Sequence, residues 1–270
     1  MHDFDDYEPE EERAPDPQQV RAGDVLREFF KQRRDEVFSS RQVEVVHEGQ
    51  FFHWVTNRAI RELEKEGLLR SEMRDLAFGG SVKLIWHRAY RYPKRYSEKL
   101  VALINEYSAP NIGGALGLHG ELMVLEGFAK QQFVLWGREV NEYGGARWIE
   151  SEHDLDFVFG RDGVGYGVEV KNTLPYMDYQ ELRTKIRLCR HLGLRPVVAA
   201  RMLPKTWIEE LRLSGGFALV LKYQLYPLAH ADLAKRVRQE MGLPVDSPRS
   251  LAEGTMARFV AWHSKVARML

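Results

Sequence analysis

The sequence predicts an α/β chain with two folded modules. Three patterns point that way. Residues 22–92 read as helix, helix, helix and hairpin. Residues 152–200 read as two apolar strands about a turn, then an amphipathic helix and a buried strand. Further helical patterns at Ala231–Met241 and Ala257–Leu270 follow, with Pro244 and Pro248 between them. At 270 residues, the chain is long enough for one large or two small domains, each with its own core.

Net charge is zero, but unevenly spread. The first 19 residues carry eight acids and a single base, Arg13. The rest holds 38 Lys and Arg against 31 Asp and Glu, a modestly basic body that suits a polyanionic partner. Residues 1–20, acidic and Pro-rich, are expected to form a disordered tail. Cys189 is the only cysteine, which excludes an intrachain disulfide and a thiolate zinc cluster. No apolar run approaches the roughly 18–20 residues of a membrane span, and no signal-peptide pattern opens the chain. A cytoplasmic, reduced protein is expected.

In the first module, Val25, Leu26, Phe29 and Phe30 recur at helical spacing. Ser39-Ser40 can cap a short helix over Arg41–Val46, and a third helix is expected over Phe52–Leu69, with Gly67 near its end. Strands are expected over Arg74–Phe78 and Ser81–His87, joined by Gly79-Gly80, whose freedom at positive φ suits a tight turn. This order resembles the winged helix-turn-helix family, placed at residues 21–96. The resemblance implies that the third helix enters a DNA groove, with Thr56, Asn57, Arg58 and Arg61 as contacts beside His53, and Lys83 on the wing. Beyond the wing, Arg91, Lys94 and Arg95 interleave with Tyr90, Tyr92 and Tyr96, a mixture that suits phosphate contact and base stacking. Winged helices also serve as protein-docking modules.

A helix over Ser97–Tyr107 is expected to bridge the modules, and Pro110 with Gly113-Gly114 to mark a loop. The stretch EHDLDFVFGRDGVGYGVEVKN, residues 152–172, carries the chemistry. Asp156 opens the run Phe157–Phe159, Gly160–Gly163 supplies turn residues, and a second run ends at Glu169-Val170-Lys171. Residues two apart on a strand share a face, so Glu169 and Lys171 point together while Val168 and Val170 point into packing. Two carboxylates and an ammonium then meet at one end of a hairpin. Hard oxygen ligands of that kind suit Mg²⁺ or Mn²⁺.

The order of Asp, turn, Glu-x-Lys, helix and strand resembles the PD-(D/E)xK nuclease superfamily. It covers residues of about 115–225 within a second module placed at 97–270. The resemblance implies a restriction-endonuclease-like αβββαβ core, followed here by the C-terminal helices. It implies metal held by Asp156, Glu169 and the Val170 carbonyl, and hydrolysis of DNA, RNA being the lesser expectation. Lys171 is implied as the group that orients water or stabilises transition-state charge. Glu121 matches the acid on the family's first core helix. With Leu118 and Leu125 it falls on one helical stripe. No proline precedes the first acid, and Asp154 lies two residues upstream on the same face. Either aspartate can be the ligand, with Asp156 preferred because it directly precedes the apolar strand.

Asp178 and Glu181 have capping-box spacing, and Tyr179, Leu182, Ile186 and Cys189 form the apolar stripe of the crossover helix. Arg183, Lys185, Arg187 and Arg190 read as lying off that stripe, as phosphate contacts or solvated charge. Asn172 and Gln180 are expected near the site or substrate. Gly163, Gly165 and Gly167 lead into a strand, not a helix, so they are no dinucleotide fingerprint. Two functions follow as expectations. One is a metal-dependent DNA endonuclease, as a homodimer if one site per chain must cut both strands. The other is a non-cutting DNA-binding or scaffold protein on the same fold.

Overall fold

The computed structural model describes residues 16–269. The acidic tail expected over 1–20 lies mostly outside the described residues. Its last part is corrected, because helix α1 already begins at Pro17 (Pro17–Gln32). Asp16 caps it by accepting from the Gln18 N–H at 2.9 Å, and Pro17 sits where a missing N–H costs nothing. By contact the chain divides into two compact units, one up to Val101 and one from Ala102.

In the first unit, α1 is followed by β1 (Val37–Ser39), α2 (Ser40–His47), α3 (His53–Lys65), β2 (Leu69–Asp75) and β3 (Ser81–His87). Ser39 and Gln42 close a full capping box at the start of α2. Leu26, Phe30, Val55, Ala59, Ile60, Leu63 and Ile85 make the shared core. The third helix stops four residues short of the expected Leu69, where Gly67 adopts φ +70° and ends it. The strand expected at 74–78 instead begins at Leu69 and is followed by a turn over Leu76–Gly80, closed by the Leu76 N–H donating to the Gly80 carbonyl at 3.0 Å. Both faces of β2 are largely exposed, so it carries no apolar alternation to read. The sheet order is β1-β3-β2, all antiparallel, β1 being too short to announce itself.

Helix α4 (Lys94–Tyr107) runs through the division between the units. Then come α5 (Pro110–Lys130), β4 (Val134–Val140), the small hairpin β5 (Glu142–Tyr143) and β6 (Ala146–Arg147), β7 (Leu155–Arg161) and β8 (Val164–Lys171). Next are α6 (Tyr179–His191), β9 (Arg195–Ala200), α7 (Lys205–Leu213), β10 (Phe217–Val220), β11 (Gln224–Leu225), α8 (Ala231–Met241), β12 (Val245–Asp246) and α9 (Glu253–Ala267). The loop expected at Pro110 to Gly114 is corrected to the first turn of α5. Proline is well placed at a helix start, and two glycines there do not outweigh the apolar run that follows. The turn expected over Gly160–Gly163 shrinks to Asp162-Gly163, both at positive φ, while Gly160 and Arg161 extend β7.

The main sheet has the order β10-β9-β8-β7-β4. Strands β4, β7 and β8 are antiparallel neighbours, whereas β8, β9 and β10 run parallel. The chain thus passes from a helix through three antiparallel strands to a crossover helix and a parallel strand, an α/β architecture. Phe157, Phe159, Val168, Val197, Ala199 and Leu219 face α5 and α9, packing on Val124, Phe128 and Phe259. Val198 and Ala200 face α6 and α7, meeting Leu182, Ile186, Trp207 and Leu211. Helix α9 is tied to the β7–β8 hairpin by a chain of contacts. Tyr166 Oη lies 2.6 Å from His263 Nδ1, and His263 Nε2 lies 3.0 Å from Asp162 Oδ2. No helix among the described residues is long and apolar enough to cross a membrane.

The contact that positions the site is α6 against β8. Four residues of helix rise about 6 Å and two residues of strand about 6.6 Å, so the two repeats stay in step over two turns. Cys189, Lys185 and Glu181 on α6 accordingly face Gly167, Glu169 and Lys171 on β8. Gly167 makes this approach possible. A Cβ there would stand 2.6 Å from Cys189 Sγ and 2.7 Å from Leu155 Cδ1. Gly167→Ala is therefore expected to destabilise the protein by about 1–3 kcal/mol, read as a lower denaturation midpoint in urea. An unchanged midpoint would show that α6 is free to shift.

Candidate active site

Continuing the register Phe157↔Val168 by one pair sets Asp156 opposite Glu169, at the open end of the β7–β8 ladder. The ladder does not end unsatisfied, because the Val170 N–H donates to Asp156 Oδ2 at 2.6 Å. That bond holds the Asp156 side chain at the end of β8, whereas the Asp154 side chain is half-exposed and lies 4.0 Å from Lys185 Nζ. It also sets the Val170 peptide beside the carboxylate. Glu169 is only 3% exposed, while Val168 is packed into the core and Val170 against it, as the strand period predicts.

Each oxygen of Glu169 faces an ammonium. Lys171 Nζ lies 3.2 Å from Oε1, and Lys185 Nζ lies 2.5 Å from Oε2. Lys171 is held further by Glu181 at 2.6 Å. Lys185 also donates to the Asp154 backbone carbonyl. The reading of Lys185 as a solvated or phosphate-facing charge is thereby corrected: it is 5% exposed and points into the site. Its neighbours Arg183, Arg187 and Arg190 are exposed. Position 185 sits next to Ile186 on the stripe, and a long aliphatic stem lets an inward lysine share an apolar face.

Glu121 is nearby but less central. The buried stripe of α5 runs through Ile112, Leu116, Gly120, Met123, Val124, Gly127 and Phe128, and Leu118 is 54% exposed. Glu121 thus lies at the stripe's margin, one-third exposed, with Arg138 of β4 at 3.4 Å. Asn172, expected near the site or substrate, is a buried strut beside the site and not a substrate contact. Its Nδ2 donates to the Leu116 and Leu225 carbonyls, each at 2.7 Å, and its Oδ1 accepts from the Leu225 N–H at 2.6 Å. It ties α5 and β11 to the end of β8. Gln180 is exposed in the first turn of α6, where its N–H donates to the cap Asp178.

The electrostatics follow from burial. Desolvation raises the pKa of Glu169, and the facing charge of Asp156 raises it further against the pull of the two lysines. Asp156 is likewise raised by desolvation, with the Val170 N–H opposing and the charge of Glu121 adding. Burial works to lower the pKa of Lys171, but the hydrogen bond to Glu181 and the charges of Glu169 and Glu181 outweigh it and leave it raised. Cys189 is pushed up to about 12 by burial, so it is a packing residue, not a nucleophile.

Among the described residues, no group of three or more His, Cys, Asp and Glu side chains forms a cage for a metal ion. The donor set is two facing carboxylates on adjacent strands, with the Val170 peptide between them. Hard oxygen donors fit Mg²⁺ or Mn²⁺, and the mutual strain of the two carboxylates is what a divalent cation would relieve.

In the first unit, the residues expected to touch nucleic acid divide. Arg58 and Arg61 on α3, and Arg91, Lys94 and Arg95, are exposed. Thr56 is fully buried and contributes packing, which corrects its assignment. Asn57 donates to Glu44 Oε1 at 3.0 Å, and Lys83 is paired with Glu64 at 2.5 Å. A groove of about 290 Å³ opens beside α3, lined by Arg41, Glu44, His53, Trp54, Asn57, Arg58 and Arg61. Trp54 is exposed and stacks on Phe52. The sequence reading missed Glu44, Arg41 and Trp54. A buried glutamate leaves no trace in local spacing, but an exposed tryptophan among arginines was a readable signal.

Comparison with protein-family models, with curated proteins and with solved structures finds no match to this chain.

The raised pKa values set a pH dependence. A carboxyl whose pKa is higher folded than unfolded binds more protons in the folded state, so its stabilising effect is present at low pH and lost as pH rises through the folded value. At neutral pH the ionised pair costs stability. Asp156→Asn keeps an oxygen for the Val170 N–H but removes a charge. It is expected to raise the melting temperature at pH 7 by a few degrees, the equivalent of about 1 kcal/mol, and to flatten the fall of stability between acidic and neutral pH. A variant that melts lower than the parent across that range would contradict this account.

Proposed function

We propose that the chain is a divalent-metal-dependent phosphodiesterase that hydrolyses DNA, on a restriction-endonuclease-like core of the PD-(D/E)xK type, with the winged-helix unit as its DNA-binding module. The observation that carries the reading is the meeting of Asp156, Glu169 and Lys171 at one end of the β7–β8 hairpin. It is supported by the passage from α5 through three antiparallel strands to a crossover helix and a parallel strand.

Asp156 and Glu169, with the Val170 carbonyl, would hold Mg²⁺ or Mn²⁺. When bound, such an ion polarises the scissile phosphate and lowers the pKa of a coordinated water. Lys171 is the accessible cation. Its side chain is 29% exposed, and its bond to Glu181 is one that a phosphate oxygen can replace. Released in that way, the ammonium orients the attacking water or stabilises negative charge on the non-bridging oxygens of the pentacoordinate transition state. Glu121 and Arg138 flank the same end of the sheet, where the carboxylate adds negative charge near the cation and the guanidinium can take a phosphate. Arg58, Arg61, Arg91, Lys94 and Arg95 supply sequence-independent phosphate contacts.

One observation favours a second reading. Both oxygens of Glu169 are paired with lysines, the state expected if the site had become a non-cutting DNA-binding scaffold. Incubation of plasmid, linear and branched DNA with Mg²⁺, Mn²⁺ or EDTA separates the two. Metal-dependent cutting is expected, with Lys171→Ala slowing it by about 10²–10³-fold, the loss typical of one charge-stabilising donor. DNA binding without cutting on any substrate would support the scaffold reading instead.

A further inference from the structure

Lys185 has no place in the motif that suggested the function, yet it is the more deeply buried of the two lysines at the site. Its side chain is 7% exposed, against 29% for Lys171. It reaches Glu169 Oε2 at 2.5 Å and donates to the Asp154 carbonyl, so it joins the start of β7 to the end of β8. Lys171 takes the other oxygen of Glu169 and rests on Glu181. The register of α6 on β8 holds this pairing in place, because Cys189 sits over Gly167 one helical turn away. A buried ionised carboxylate without a partner is strongly unfavourable, so Glu169 stays charged only while a cation faces it.

We propose that Lys185 is the resident counter-cation of Glu169. It occupies the charge position that a divalent ion would otherwise fill, so the site is built and electrically balanced before any metal enters. This rests on the reading that Asp156 and Glu169 hold a divalent ion. Lys185 is too enclosed to meet substrate and is a positioning residue, not a catalytic one. Three consequences follow. The ligand carboxylate is held in one orientation in the metal-free protein. A divalent ion must share Glu169 with an ammonium, so metal binds weakly on its own. Binding then tightens when substrate phosphate draws Lys171 away and adds its own oxygen ligands. Loading of the ion is thereby tied to the presence of substrate.

The test compares the full chain with Lys185→Met, which keeps the stem and removes the charge, and Lys185→Arg, which keeps the charge. Melting temperature is measured with and without Mg²⁺ or Mn²⁺, and ion affinity by calorimetry, all without nucleic acid. The parent and Lys185→Arg should show weak binding and a small thermal shift. Lys185→Met should melt lower without metal, recover with it, and bind the ion roughly tenfold tighter or more, as removal of a partly screened charge at contact distance requires. Equal affinity and equal thermal shifts in parent and Lys185→Met would overturn the proposal and leave Lys185 as packing. If Lys185→Met folds only when Mn²⁺ is supplied, the ion is taking the lysine's place, as proposed. If neither Mn²⁺ nor the added Glu169→Gln restores it, Lys185 is packing and the proposal is overturned; if Glu169→Gln restores it and Mn²⁺ does not, Lys185 balances Glu169 but the link to metal loading is overturned. The nuclease reading fails separately, on absence of cleavage by the parent, whatever the melting curves show.

Discussion

The structure of the second unit turns on keeping the Glu169 carboxylate out of water and still paired. Burial alone would drive it to its neutral form, and Asp156 across the ladder pushes in the same direction. Two ammonium groups oppose that push, one on each oxygen. Lys171 does so from β8 itself, but Lys185 can do so only because α6 lies close over β8, and α6 can lie there because position 167 has no side chain. A glycine, a helix-strand spacing that stays in step, and a buried ion pair are therefore one device. It holds a costly carboxylate in place at the end of a strand.

The rest of the architecture serves as a frame for that end of the sheet. The core between the sheet and α5 and α9 fixes β7 and β8 from one face, and α6 covers them from the other, with Leu188 and Cys189 packed against Leu155 and Val158. Asn172 then closes the end of β8 by satisfying backbone groups of α5 and β11. Gly120 allows this, since a Cβ there would stand 2.5 Å from Asn172 Cβ. A polar side chain just beyond the site thus spends its hydrogen bonds on rigidity, which a precise constellation of charges requires.

The site combines an accessible lysine and an enclosed one with different capacities. On the proposed reading, Lys171, partly exposed and resting on Glu181, exchanges that partner for an anion from solution. Lys185, locked between Glu169 and the Asp154 carbonyl, has no such freedom. Burial, not residue type, separates the two.

What the sequence determined is local in origin. A period of two put Glu169 and Lys171 on one face and Val168 and Val170 in packing. The Asp178 cap and the apolar spacing after it announced α6, and the bounds of α8 agree with its pattern residue for residue. These signals depend on neighbours within a few positions, so one sequence carries them whole. What tertiary structure decided depends on partners far along the chain. Lys185 looked like a solvated charge because helical spacing cannot tell a lysine facing water from one facing a carboxylate 16 residues earlier. Thr56 looked like a groove contact, yet packing buried it. Asn172 looked like a support of the site or a contact to substrate, and backbone groups more than 50 residues away claimed its side chain. A polar side chain takes its role from whatever the fold brings to face it, and that is settled only when helix meets sheet.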